Sequence, residues 1–221
     1  MTLSTFSIDC VRCKRLASFL GEVRKQHPGY FSKPVPAFGD DKAPLCIVGL
    51  APGKHGANAS GRPFTGDHAG ILLYETLFKY GFASAPESIS SDDNLRLINC
   101  RITNAVKCLP PDNKPVSAEI NQCNAYLADE FKQLPKNFII VALGGLAHKA
   151  VLKALNLKQS QYKFGHGLEH PLENGILIDS YHCSRYNTQT KRLTTPMFEA
   201  VFERAREILK AFTAEDAKSA E

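Results

Sequence analysis

Four short apolar runs constrain this chain most. Leu45–Leu50, part of Leu97–Val106, Phe138–Leu143 and Ile176–Ile178 with its neighbours are each too short for a core helix and are bounded by polar residues, so they read as buried strands. Helical patterns separate them. Gly70–Tyr80 places Leu73, Leu77 and Tyr80 on one face, and Leu146–Leu155 is rich in good helix formers. A last helix is expected to start after Thr195 as N-cap, with Pro196 at its first position. Met197, Val201, Ala205, Ile208 and Phe212 would then line one side, and Glu199, Glu203, Arg206 and Lys210 the other. Strands that alternate with helices build a parallel sheet covered on both faces, whose ligands sit beyond the carboxyl ends of the strands. That rule brings three loops together: Ala51–Gly66, the turn around Asn104, and Ser180–Arg192.

The 221 residues suffice for one domain, and nothing forces a second. Before the first strand, a basic helical stretch through Leu16, Leu20 and Val23 leads into residues 27–44, where His27-Pro28-Gly29 and three more prolines indicate extended connection. The polar tail from about Thr213 is expected to fray. No apolar run reaches the roughly 18 residues of a membrane span, and residues 1–9 do not resemble a signal peptide. A soluble, cytoplasmic protein is therefore expected. The net charge of +5 permits a polyanionic partner without establishing one.

Seven cysteines argue further. An odd count in a reducing compartment points away from a disulfide framework and towards metal ligation. Cys10 and Cys13 form a C-x2-C pair in a polar segment beside Arg12, Lys14 and Arg15, and Cys108 and Cys123 have 14 residues between them. Four thiolates suit either tetrahedral zinc or a [4Fe–4S] cluster. Cys46 and Cys100 lie inside strand-like runs and read as core residues.

At the end of the first strand, Gly49-Leu50-Ala51-Pro52-Gly53 lets backbone N–H groups approach a ligand. It is neither a P-loop nor a dinucleotide fingerprint. Phe64 offers an aromatic beside it, Asn104 closes the second strand and His182 the fourth. An amide, an aromatic and an imidazole at strand ends suit a planar, hydrogen-bonding ligand such as a base. Each also has a plainer use: Phe64 in the core, Asp67 as a helix cap, Asn104 in a turn and His182 as a structural ring.

These residues resemble the iron–sulfur uracil-DNA glycosylases, and most closely their fifth, type b branch. The matching stretches are GLAPGKHGANASGRPFTGD (Gly49–Asp67), ITNAVKCLPPDNKPVSAEINQC (Ile102–Cys123) and SYHCSRYNTQTKRLT (Ser180–Thr194), preceded by the Cys10/Cys13 pair. The resemblance implies a three-layer α/β/α sandwich with a central four-stranded parallel sheet. It also implies a structural [4Fe–4S] cluster on Cys10, Cys13, Cys108 and Cys123. The implied activity is flipping of uracil, or another deaminated base, out of DNA and hydrolysis of its N-glycosidic bond by a monomeric repair enzyme. Carried over by position, Gly49, Ala51 and Gly53 would border the base, Phe64 would stack on it, and Asn104 would read its edge. His182 would hydrogen-bond a carbonyl as negative charge builds there. The segment Ser184–Arg192 would enter the duplex, with Arg62, Ser184, Arg185, Asn187, Lys191 and Arg192 as DNA contacts.

Three positions depart from the wider pattern. Leu50 stands where the fourth branch has glutamate, Ala51 where the best-known branch has its catalytic aspartate, and Cys183 where a proline commonly follows the motif histidine. Asn58, where several members of the resembled family have a carboxylate, is the first candidate to hold the attacking water, and Asp67 the second. The missing aspartate also leaves room for a non-catalytic binding module of the same fold. The type b likeness leaves room for a glycosylase with wider base range.

Overall fold

The computed structural model describes residues 6–219, with side chains as far as residue 215. The strands are β1 (Phe38–Gly39), β2 (Leu45–Gly49), β3 (Cys100–Asn104), β4 (Phe138–Leu143), β5 (Glu169–Leu172) and β6 (Gly175–Ser180). They form one sheet in the order β1-β3-β2-β4-β6-β5. The expected four parallel strands are its centre, β3-β2-β4-β6. Two antiparallel edge strands widen it to six, and this corrects the expected count. β1 falls in the stretch read as extended connection. It is only two residues long, and an edge strand this short leaves little open backbone to pair with another chain.

Strand alternation sorts the side chains into two layers. Leu45 and Ile47 of β2 pack with Leu73, Leu77, Phe198 and Phe202, which belong to α3 (His68–Lys79) and α7 (Thr195–Ser219). Cys46 and Val48 face the other way, onto Leu127, Phe131, Ala147 and Val151 of α4 (Ser117–Phe131) and α5 (Gly145–Ala154). The three-layer expectation therefore holds, and Cys46 and Cys100 are core residues. Cys183 is also fully buried in the first layer, so the residue in the place of the usual proline anchors its loop by packing.

The N-terminal helix α1 (Lys14–Gln26) buries Leu16, Leu20 and Val23 as expected. Leu16 packs with Val106 and Cys123, and Leu20 and Val23 pack with Leu109, so the helix is pinned to the excursion that follows β3. The last helix differs in register and length. Thr194, not Thr195, caps it: its Oγ1 accepts from Met197 N–H at 3.4 Å and its carbonyl from Phe198 N–H at 3.0 Å. The buried stripe accordingly runs through Phe198, Val201, Phe202, Ala205 and Ile208, with Met197 and Phe212 only half-buried. The helix runs on to Ser219, past the expected start of the tail at Thr213, because Thr-Ala-Glu-Asp-Ala-Lys contains no glycine or proline to stop it. The rest of that expectation, residues 220–221, lies outside the described residues. Among the described residues, no helix is long and apolar enough to cross a membrane.

Candidate functional site

The carboxyl ends of the parallel strands open onto a cavity of about 340 Å³. Ala51, Gly53, Phe64, Asp67, Asn104, His182 and Ser184 line it, as the three-loop argument requires. Gly49 contributes space rather than contact. A Cβ there would collide with Asn104 Oδ1 and lie 2.8 Å from the Phe64 ring. Asn104, paired with Gly49 across the sheet, is thereby free to turn its amide to the cavity.

Phe64 is both core and wall. It is 6% exposed, its φ is 56°, and its ring lies 5.9 Å from that of His182 at an interplanar angle of 29°. A left-handed bulky residue is strained, and such strain concentrates at functional sites. Gly70 permits it, since a Cβ at that position would fall on the Phe64 carbonyl.

His182 is half-buried, and burial holds its pKa down to about 4 with no acid to offset it. At neutral pH the ring is uncharged and presents one N–H donor and one acceptor. Its nitrogens find no partner among the described residues. Asp67 proves to be a helix cap and a wall residue together. Its Oδ1 accepts from Gly70 N–H at 2.9 Å at the start of α3. Its Oδ2 faces Gly53 and Gly56, where added Cβ atoms would stand 3.5 and 2.6 Å away. Burial raises its pKa, and the Gly70 and Ala69 N–H groups oppose that rise.

Asn58 is placed differently from expectation. It lies in α2 (Ala57–Ser60), has no exposed surface and does not line the cavity. Its Nδ2 donates to the Lys54 carbonyl at 3.4 Å, while Oδ1 has no partner. Its backbone bonds Gly53 and Ser32, so Asn58 braces the glycine loop from behind. On geometry, Asp67 takes first place as the water-holding candidate.

The duplex-entering segment is a short helix, α6 (Arg185–Gln189), capped by Ser184. Arg185, Lys191 and Arg192 are exposed. Of the residues assigned to DNA, Arg62 needs correction and Asn187 is also engaged within its own loop. Asn187 donates its amide N–H to the His182 carbonyl at 2.8 Å and so orders the loop. Arg62 is 6% exposed and points inward. Its guanidinium donates to Asp93 at 2.6 Å, Ser88 at 3.0 Å and the Ser91 carbonyl at 2.8 Å, beneath the Phe38 ring. Nothing in its sequence setting separates a buried arginine from a surface one, because its carboxylate lies 31 residues away.

Sequence reasoning missed two residues. Asn113 lines the cavity from the excursion after β3, following Asp112; both have φ above 50°, an unusual pair outside glycine. Tyr186 is 70% exposed at the tip of α6, and a large aromatic among polar neighbours was its available signal.

The four expected metal ligands meet at one place. Cys10, Cys13, Cys108 and Cys123 surround a small cavity with Phe6, Leu16, Val106 and Tyr126. Tyr126 O–H donates to Cys10 Sγ and Lys107 N–H to Cys123 Sγ, each at 3.3 Å. Burial, reinforced by the neighbouring cysteines, pushes the Cys108 thiol up to about 12, and burial pushes Cys123 up to about 11. As thiolates these groups need a cationic partner, and soft donors in this number suit iron or zinc.

A sheet that ends in a cavity walled by an aromatic, an amide and a neutral imidazole defines an α/β protein whose site suits a planar polar ring. A sequence model described as the Uracil DNA glycosylase superfamily matches residues 36–206. The chain is 44% identical to a type-5 uracil-DNA glycosylase of Thermus thermophilus over 90% of its own length and 93% of the relative's. It is 38% identical to one of Pyrobaculum aerophilum, with 90% and 88% covered. A type-4 uracil-DNA glycosylase of Archaeoglobus fulgidus is 34% identical over 56% of the chain and 55% of its own. The chain belongs to the type-5 branch of the uracil-DNA glycosylase superfamily.

Proposed function

We propose that this chain is a repair enzyme that excises uracil from DNA by hydrolysing the N-glycosidic bond, leaving an abasic site. The convergence of Phe64, Asn104 and neutral His182 on one cavity carries the reading. Phe64 offers a flat face to the flipped ring, and Asn104 offers a donor and an acceptor to its edge. As the C1′–N1 bond breaks, its electron pair moves onto uracil N1 and O2. The His182 N–H, preorganised and uncharged, stabilises that anion. Water attacks C1′ while Asp67 Oδ2 accepts a hydrogen bond from it and aims it, and the proton the water loses neutralises the departed uracil anion. That carboxylate stands in for the aspartate missing at Ala51, which removes the main support for a non-catalytic module. The wall residues include no lysine or cysteine to attack the sugar, so hydrolysis alone is expected. The test is a panel of oligonucleotides carrying uracil, hypoxanthine or xanthine. Abasic-site formation from the uracil strand is expected, and its absence would overturn the reading.

Binding follows from the same surface. Arg185, Lys191 and Arg192 contact phosphates while Tyr186 fills the gap left by the flipped nucleotide. Each neutralised phosphate contributes about 0.9 to the slope of log K against log salt. Changing Arg185 and Arg192 together to Ala should therefore flatten the slope by roughly 2, read by fluorescence anisotropy.

Cys10, Cys13, Cys108 and Cys123 would hold a [4Fe–4S] cluster. Its service would be structural, tying α1 and the excursion after β3 to the body of the enzyme. The O–H and N–H donors to Cys10 and Cys123 are the kind of outer contacts that cluster sulfurs receive. The purified protein should be brown, with about four irons per chain by metal analysis, and Cys108→Ser should bleach it. A colourless protein with one tightly held zinc would sink the iron assignment.

A further inference from the structure

Beneath the loop that carries His182 lies a charged cluster that base release does not use. Asp179 of β6 is fully buried, three residues before His182. Its Oδ1 accepts from His148 Nδ1 at 2.7 Å, and its Oδ2 from His170 Nε2 at 3.0 Å and Gly165 N–H at 3.3 Å. The other nitrogen of His148 donates to the Tyr162 carbonyl at 3.0 Å. Both His148 nitrogens face acceptors, so the ring carries two protons and balances the buried carboxylate. Burial pulls His148 down, but the hydrogen bond and charge of Asp179 leave it above the ordinary histidine value. The three donor atoms lie within 4.8 Å of one another, as ligands of one ion also would. Ligands each about 2.1 Å from a tetrahedral ion stand roughly 3.4 Å apart, however. The 2.7 Å contact between His148 and Asp179 is closer than that and makes this a hydrogen-bonded cluster.

The cluster grips one turn. Besides the Gly165 bond, the Asp179 carbonyl accepts from Gly167 N–H at 2.8 Å, and Asp179 N–H donates to Leu168 at 2.9 Å. That turn presents His166, whose Nδ1 accepts from Tyr181 N–H at 3.1 Å. Its ring stacks on Tyr181 with centroids 5.0 Å apart and lies near the Met197 backbone in α7. Tyr181 immediately precedes His182. The groups facing His166 are thus the Tyr181 ring and the Met197 backbone, with Arg192 over the Tyr181 ring and Asp179 bonded to neighbouring Gly165. Only an uncharged His166 has the lone pair that Tyr181 N–H requires. Burial lowers its pKa and so favours that form.

We propose that His166 is a positioning residue for base release, clamping the Tyr181–His182 segment while Asp179 and its two histidines hold the clamp in place. The proposal rests on the uracil-releasing reading of the cavity, and its test separates the two. In the iron-loaded protein, exchange of the Tyr181 amide and single-turnover uracil release are measured from pH 5 to 8 for the parent, His166→Ala and His166→Asn. An Asn carbonyl can accept near the place of Nδ1 without titrating. His166→Ala should raise Tyr181 exchange and lower release about tenfold each, with affinity for abasic DNA unchanged. His166→Asn should restore most of both. The parent alone should lose rate, and with it Tyr181 protection relative to the intrinsic exchange rate, as pH falls below the ordinary histidine value. Parent-like exchange in His166→Ala overturns the proposal. So does an Asn variant no better than Ala, which would mark simple packing, or stoichiometric zinc lost in His170→Ala. A parent that releases no uracil defeats the functional reading, while the exchange measurement still decides the clamp.

Discussion

Replacing Asn104 or His182 by Ala is expected to lower single-turnover uracil release by about 10²–10³-fold each, the usual loss for one preorganised anion donor. The effect should appear in the chemical step. Affinity for abasic-site DNA should hardly change, because the product lacks the base these side chains address. A pH profile adds a second check. With its pKa held down to about 4, His182 stays neutral throughout the usual assay range, so its own protonation should limit the parent only near that value. The same shift makes a stability statement. The folded pKa lies below the unfolded one, so the neutral ring's contribution is present above about pH 6.5 and is lost as pH falls towards 4. Asp67→Asn completes the test. Asn caps a helix nearly as well as Asp, so a large rate loss with unchanged melting would identify the carboxylate as the water-holding group. Asn58→Ala should instead cost stability, by loosening the glycine loop it braces. Parent-like cleavage in the Asn104, His182 and Asp67 variants would mean that the site is elsewhere.

The sequence was legible wherever a local pattern carried the information. Strand runs such as Phe138–Leu143 and the α3 face of Leu73 and Leu77 declare themselves by periodicity, and the strand-end rule places Asn104 and His182 at one site without coordinates. The Cys10/Cys13 spacing likewise announces a ligand pair. What stayed hidden depends on partners distant in sequence. β1 exists only because Phe38 and Gly39 find Ile102 and Arg101. Asn113 reaches the cavity only through the left-handed turn that follows Pro110-Pro111. Asp67 shows another limit. Cap and cavity wall looked like rival uses of one residue, yet Asp67 is both.

Arg62→Ala is expected to destabilise the protein by about 3–5 kcal/mol, the cost of stranding one member of a buried ion pair. The side chains of Arg62 and Asp93 are only 7% and 13% exposed, and their N–O distance is 2.6 Å. Burial alone would raise the Asp93 pKa. The Arg62 bond and the N–H groups of Ile89, Leu95 and Ser90 outweigh that and hold it down to about 2. The folded value lies below the unfolded one, so this contribution is present above about pH 4 and is lost as pH falls through 2. At neutral pH the Asp93 carboxylate therefore remains charged when the guanidinium is removed. It keeps its backbone donors and loses its counter-ion. For a chain of this size the melting temperature should fall by on the order of 10 °C. The salt slope of DNA binding should stay at the parent value, in contrast to the Arg185 and Arg192 double variant, because an inward guanidinium releases no counterions from phosphate. Adding Asp93→Ala to Arg62→Ala should recover part of the loss, since the second change removes the stranded charge. A variant that melts like the parent while its salt slope flattens would return Arg62 to the DNA surface.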